Sequence, residues 1–209
     1  MESGAWPVTV YKVGGSLFNW PDLFERLAAF LASENARPLV VPGGGDVADV
    51  VRSWDRIHGL GESRSHRLAI ASLSLGGEFL TDGLGASIVA DRQEAAIAWR
   101  AGKVAVLDVR MFLKAESIDA ATPLPASWDV TSDSIAAWIA DKWPARLMLV
   151  KSAAPSLANE PFVDSYFESA SAGLKSVQWV DLRSGQRGAL GRPKVQRSIQ
   201  KMVKSNHVR

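Results

Sequence analysis

The sequence predicts an α/β protein on a mostly parallel sheet. Three observations predict it. Short β-branched runs end in glycine-rich turns, helices with 3.6-residue apolar spacing follow those turns, and the order repeats along the chain. Hydrophobic residues make up 47% of the chain, enough for a sizeable core and too many for a disordered one.

Val8–Val13 alternates β-branched and other side chains and reads as a buried first strand. Lys12 lies near its end, just ahead of the turn Gly14-Gly15-Ser16. Pro21 and Asp22 open a helix whose Leu23, Leu27, Phe30 and Leu31 keep helical spacing. Arg37-Pro38 closes that segment, and Leu39–Val41 forms a second short strand. Pro42-Gly43-Gly44-Gly45-Asp46 is a second glycine turn, leading into a helix with Val47, Val50, Val51 and Trp54. Strand, glycine turn, helix, twice over, implies parallel strands with right-handed crossovers. The pattern then predicts a helix from about Glu62 to Leu80, a strand over Ala86–Ala90, a helix over Arg92–Arg100 and a strand over Val104–Leu107. A loop with Pro123 and Pro125 precedes Thr131–Ser134 and a helix Ile135–Lys142. Arg146–Val150 is another buried strand, ending at Lys151. A helix Asp164–Ala172 and a last strand Val177–Val180 complete one domain, drawn at residues 1–182, with a basic tail at 183–209.

Composition removes several function classes. The chain has no cysteine, which excludes disulfides, thiolate metal sites and cysteine nucleophiles. His58, His66 and His207 do not fall at metal-ligand spacing, so no protein-held metal is expected. No apolar run is long enough for a bilayer, and no basic-then-apolar leader precedes Pro7, so a cytoplasmic protein without a membrane partner is expected. Eight of the 24 Lys/Arg and none of the 22 Asp/Glu lie in residues 183–209, which leaves residues 1–182 at −6. A basic tail can bind nucleic acid. Aromatics are not interleaved with its charges, so it is read as a solvated segment and no nucleic-acid partner is expected.

Ligands of parallel sheets bind beyond the carboxyl ends of the strands, where both glycine turns fall. Lys12 with Gly14, Gly15 and Ser16 combines a fixed positive charge with backbone N–H donors, as phosphate sites do. Gly43-Gly44-Gly45 suits an anion approaching the main chain at a helix N-terminus, or a tight turn alone. Neither turn is a Walker A loop, and no Gly-x-Gly-x-x-Gly follows a strand. At Ser132-Asp133-Ser134 two readings stand. Ser132 or Asp133 caps the helix. Alternatively, Asp133 orients Lys12 by a charge-assisted hydrogen bond and fixes it against a transferring phosphoryl group.

Taken in order, Lys12-Val13-Gly14-Gly15-Ser16, Pro42-Gly43-Gly44-Gly45 and Ser132-Asp133-Ser134-Ile135-Ala136-Ala137 resemble the amino acid kinase family. The resemblance implies a three-layer αβα sandwich with a mostly parallel open sheet, the amino acid kinase fold. It implies transfer of the ATP γ-phosphoryl group to a phosphate or carboxylate oxygen of a small molecule, with Mg²⁺ arriving on the nucleotide, and a homo-oligomer. Lys12 and Asp133 would be catalytic. The Gly14, Gly15, Gly43 and Gly44 amides, flanked by Ser16, Gly45 and Asp46, would line the phosphoryl oxygens, and Ser132 would serve the nucleotide. The run from Asp133 to Trp138 looks closest to the small branch containing [5-(aminomethyl)furan-3-yl]methyl phosphate kinase, of methanofuran and tetrahydromethanopterin-linked C1 metabolism. Glu62 and His66-Arg67-Leu68-Ala69-Ile70 resemble that branch's acceptor-side helix, with His66 facing the acceptor phosphate or simply polar on an amphipathic helix. The chain departs from the family at Lys151-Ser152-Ala153-Ala154-Pro155-Ser156, where many members carry Thr-Asp and then an Asp-Gly loop. The family's Gly-Met-x-x-Lys segment is also absent. Lys151, or Lys194 from the tail, is the substitute for its ATP-contacting lysine. A catalytically reduced nucleotide- or anion-binding regulatory protein is the alternative.

Overall fold

The computed structural model describes residues 7–116, 124–155 and 161–191. Strands β1 (Val8–Val13), β2 (Arg37–Pro42), β3 (Ser87–Val89), β4 (Ala105–Leu107), β5 (Arg146–Lys151), β6 (Val177–Asp181) and β7 (Arg187–Leu190) form one sheet in the order β3-β4-β2-β1-β5-β6-β7. All neighbours are parallel except β6 and β7. The helices are α1 (Leu23–Ser33), α2 (Gly45–His58), α3 (Glu62–Leu84), α4 (Arg92–Arg100), α5 (Val109–Glu116), α6 (Ser132–Lys142) and α7 (Phe167–Ala170). A short 3-10 turn covers Gly15–Leu17. No helix among the described residues is long and apolar enough to cross a membrane.

β1 lies at the centre because both its faces are apolar. Val10 packs into a core under α4, α5, α6 and α7, whereas Tyr11 and Val13 pack into a second core under α1. α3 serves both, with Leu73 in the first and Leu80 in the second. Helices on both faces of a mainly parallel sheet are the expected αβα arrangement. The chain runs from β1 to β2 on one side and later returns to β1's other side as β5. That reversal places the β1 and β5 carboxyl ends beside one another, at a switch point suited to ligands.

Four expectations need correction. The sheet continues past Val180: β7 pairs antiparallel with β6, so a boundary at residue 182 cuts a hairpin. Its small residues carried no strand pattern, and Gly188 is required because a Cβ there would lie 2.6 Å from the Trp179 ring. Between the strand ending at Leu107 and the loop at Pro123 and Pro125, where the expected pattern has no helix, α5 is a short amphipathic helix burying Val109 and Phe112. The helix expected over Asp164–Ala172 shrinks to Phe167–Ala170, since the residues before it dock onto the start of α6. α6 itself begins at Ser132 rather than Ile135. Lys194 and most of the basic tail lie outside the described residues.

Candidate active site

β1 and β5 run side by side, with Lys12 opposite Leu149 and Val13 opposite Val150. α6 packs across β1 and places the acid of its first turn over these strand ends. Lys12 Nζ lies 2.9 Å from Asp133 Oδ1, and Lys151 Nζ lies 2.8 Å from Asp133 Oδ2. Lys151 also donates to the Phe162 carbonyl at 3.0 Å. Lys12 and Asp133 are 4% and 5% exposed, so two cations share one anion away from bulk water. Burial pushes the Asp133 carboxyl up, but the Lys12 and Lys151 ammonium groups outweigh it and hold the carboxyl below the usual range. Burial, and then the Lys12 charge, push Lys151 down to about 8 against the pull of Asp133. The cluster carries one surplus positive charge, and an anion relieves that imbalance.

The glycine turns sit beside this cluster, and they pack on each other. A Cβ on Gly15 would lie 2.1 Å from Gly45 N, and one on Gly43 would lie 2.4 Å from Gly15 N. The absence of side chains is therefore dictated by the contact between the two loops, before any ligand is considered. The backbone donors also divide unevenly. Gly14 N–H donates to Val150 O and Gly43 N–H to Val13 O, each at 2.8 Å, which extends the sheet pairing. These two amides are occupied, contrary to the expectation that they line phosphoryl oxygens. α2 starts with no side-chain cap at Gly44, and Gly44, Gly45 and Asp46 face a cavity of about 250 Å³. An uncapped helix start keeps its N–H groups for an anion.

That cavity is lined on one side by Gly15 and Ser16, and on another by His66, Ser72 and Ser132. Lys12, Gly14, Gly43, Asp133 and Lys151 do not line it; they lie behind the shared turns at Gly15 and Ser132. Ser16 Oγ is 2.8 Å from Ser152 Oγ, which links the loops that follow β1 and β5. Asp46 accepts from Asn19 Nδ2 at 2.9 Å. Two cavity groups, Arg52 and Trp128, escaped the sequence reading. The Arg52 guanidinium sits over the Trp128 ring at 5.1 Å and pairs with Asp49 at 2.6 Å, while the indole N–H donates to Asp55 Oδ2 at 2.8 Å. Arg52 is one turn from Ala48 and Asp49 on the cavity face of α2, a spacing that could have revealed it.

His66 lines the cavity, but in a form that does not suit an anion. Its Nδ1 lies 3.0 Å from the Ser127 carbonyl, which can only accept, so Nδ1 carries the proton. Burial pushes the imidazole below its ordinary value, partly offset by that carbonyl. The ring is neutral near pH 7, and its Nε2 is an acceptor for an N–H or O–H group. Arg52 is the guanidinium of this wall.

No family model matches the chain. A curated relative, [5-(aminomethyl)furan-3-yl]methyl phosphate kinase of Methanocaldococcus jannaschii, is 26% identical over 151 residues, covering 68% of this chain and 63% of that protein. The chain thus spans under two thirds of that relative's length. The solved uridylate kinase of Archaeoglobus fulgidus superposes with a TM-score of 0.51 at 20% identity, over 76% of this chain and 70% of that one. The UMP kinase of Bacillus anthracis gives a TM-score of 0.57 at 10% identity, over 84% and 86%. These two structures share the fold, and the M. jannaschii relative is similar in sequence over two thirds of the chain; the chain therefore has the fold of these kinases and resembles one of them in sequence.

Proposed function

We propose that this protein is a small-molecule kinase that transfers the γ-phosphoryl group of ATP to a phosphate oxygen of an acceptor held in the α2–α3 cavity. The observation that carries the reading is the pair of lysines from adjacent strands meeting on the buried Asp133, beside an uncapped helix start. This donor set fits the phosphates of a nucleotide, and bound Mg-ATP supplies the transferable phosphoryl group. Lys12 and Lys151 hold charge that builds on the phosphoryl oxygens, and Asp133 keeps both ammonium groups in place. The Gly44 and Gly45 N–H groups orient the acceptor's phosphate toward them. A phosphate monoester is largely dianionic at neutral pH, so its oxygen needs no general base, in keeping with a His66 that is neutral and anchored.

The acceptor's far end meets the Trp128 ring, the His66 Nε2 acceptor and the Asp46 and Asp49 carboxylates. Such a wall favours a planar ring bearing an N–H donor. The named substrate of the M. jannaschii relative is a furan with both an aminomethyl group and a phosphate, and we take that compound as the first acceptor to try. A role in C1-cofactor synthesis follows if it is accepted. The departure at Lys151–Pro155 favours a second reading, an anion-binding regulator on the same fold.

Calorimetry with Mg-ATP and an ADP-release assay with [5-(aminomethyl)furan-3-yl]methyl phosphate test the proposal. Acceptor-dependent ADP release is expected, and Lys12→Ala should lower it by about 10²–10³. Absence of Mg-ATP binding, with or without acceptor, sinks the kinase reading; binding without turnover of any phosphate or carboxylate acceptor favours the regulator.

A further inference from the structure

An acid in the first turn of a helix ordinarily turns back to that helix's free N–H groups. Asp133 does not; a different carboxylate meets this helix start. The N-cap residue Thr131 makes no side-chain bond to the helix. Instead Asp164 reaches in from the segment before α7. Its Oδ2 accepts from Thr131 N–H at 3.0 Å, Thr131 Oγ1 at 2.7 Å and Ser134 N–H at 3.1 Å, and its Oδ1 accepts from the Ser134 hydroxyl. Two residues earlier, the Phe162 carbonyl accepts from Lys151 Nζ. Just beyond, Ser165 Oγ donates to Asp129 Oδ1 at 2.8 Å and Tyr166 N–H to Asp129 O at 3.3 Å. One short segment therefore grips the start of α6 and the end of β5 together.

We propose that Asp164 is a positioning residue that caps α6 from outside, leaving both oxygens of Asp133 to Lys12 and Lys151 and sealing the three side chains from water. The placement stands on its own contacts; only its effect on turnover rests on the kinase reading. Without Asp164, the Thr131 and Ser134 donors need another acceptor. Asp133 is the carboxylate between them in sequence, and turning to them takes it off the lysines. The groups facing Lys151 are Lys12 from β1 and Asp133 from α6. Its register neighbour on β6, Asp181, directs its carboxylate to the Ser184 hydroxyl and the Arg183 N–H instead.

An NMR titration of the Lys151 ammonium group tests the role without needing activity. In the native chain it should titrate at about 8. Asp164→Ala admits water and lets the two lysines part, which relieves the two larger causes of the depression, so the titration should move up toward 10.5. Asp133→Asn keeps the seal but removes the group that favours the charged form, so there it should move down. The opposite signs separate positioning from simple loss of a carboxylate. If the alanine variant does not fold, Asp164→Asn, which keeps an oxygen for the Thr131 and Ser134 amides, should shift the titration less but in the same direction. In turnover, Asp164→Ala should lower kcat by about 100-fold with the acceptor KM held within about twofold. A Lys151 titration that stays put or falls in the folded Asp164 variants overturns the role. Absence of turnover in the native chain strikes the kinase reading and leaves the NMR result to decide this one.

Discussion

Raising the pH should stabilise this protein, and Lys151 sets how much. Its amine sits at about 8 in the folded chain against 10.5 for an ordinary lysine. Between those values the unfolded chain binds more protons than the folded one, so stability rises with pH across that window. At about 1.4 kcal/mol for each pKa step of one, the full interval is worth about 3 kcal/mol, and the part between pH 8 and 10 about 2 kcal/mol. The side chain is 15% exposed, so solvent screening removes little of this. Tyr11 works the other way, but later. Burial raises its phenol to about 12 from 10, and stability present below pH 10 is lost between 10 and 12. The clean window is therefore pH 8 to 10. Urea unfolding followed by tryptophan fluorescence, at both pH values, for the native chain and Lys151→Met, isolates the lysine. Urea is preferred because guanidinium salt screens the cluster. With a urea slope of about 2 kcal/mol/M, the native midpoint should rise by about 1 M relative to the methionine variant. A relative midpoint that is flat or falling from pH 8 to 10 would refute the claim that burial and Lys12 together depress this amine.

Two further perturbations separate packing from binding. Gly15→Ala and Gly43→Ala should each destabilise the protein alone by more than about 2 kcal/mol, because the added methyl meets backbone rather than a flexible side chain; thermal unfolding without nucleotide reads this, and a near-neutral result would return these glycines to a purely ligand-dictated role. Arg52→Ala should raise the acceptor KM by about tenfold with little change in kcat, since the guanidinium lines the cavity and not the lysine cluster; a loss confined to kcat would place Arg52 at the transferring group instead.

The architecture was legible because its signals are local. β-branched strands, glycine turns and spaced apolar positions each declare themselves within ten residues, and β1, β2, α2, α4 and β5 fall close to where the pattern put them. β7 was not legible, because Arg187-Gly188-Ala189-Leu190 has no apolar alternation of its own and is held by the exposed edge of β6 and the face of Trp179. The cavity was half legible. Gly44, Gly45, Asp46, His66 and Ser132 were named from motifs, but Arg52 and Trp128 meet only because α2 brings its polar face under the loop before α6.

The destinations of hydrogen bonds are the part a sequence withholds. The Gly14, Gly15, Gly43 and Gly44 amides look equivalent on paper, yet Gly14 and Gly43 are extensions of the sheet and Gly44 belongs to an open helix start. The same holds for the acids. Asp133 and Asp164 are 31 residues apart, and either could have capped α6 by type. The distinction comes from depth: Asp133 lies beneath the helix against two buried amines, where a neutral or absent carboxylate would strand like charges, whereas Asp164 approaches the helix end from the loop side. Exchanging the two roles would leave Lys12 and Lys151 without an anion. The division of labour between these carboxylates is thus enforced by where β1 and β5 put their lysines.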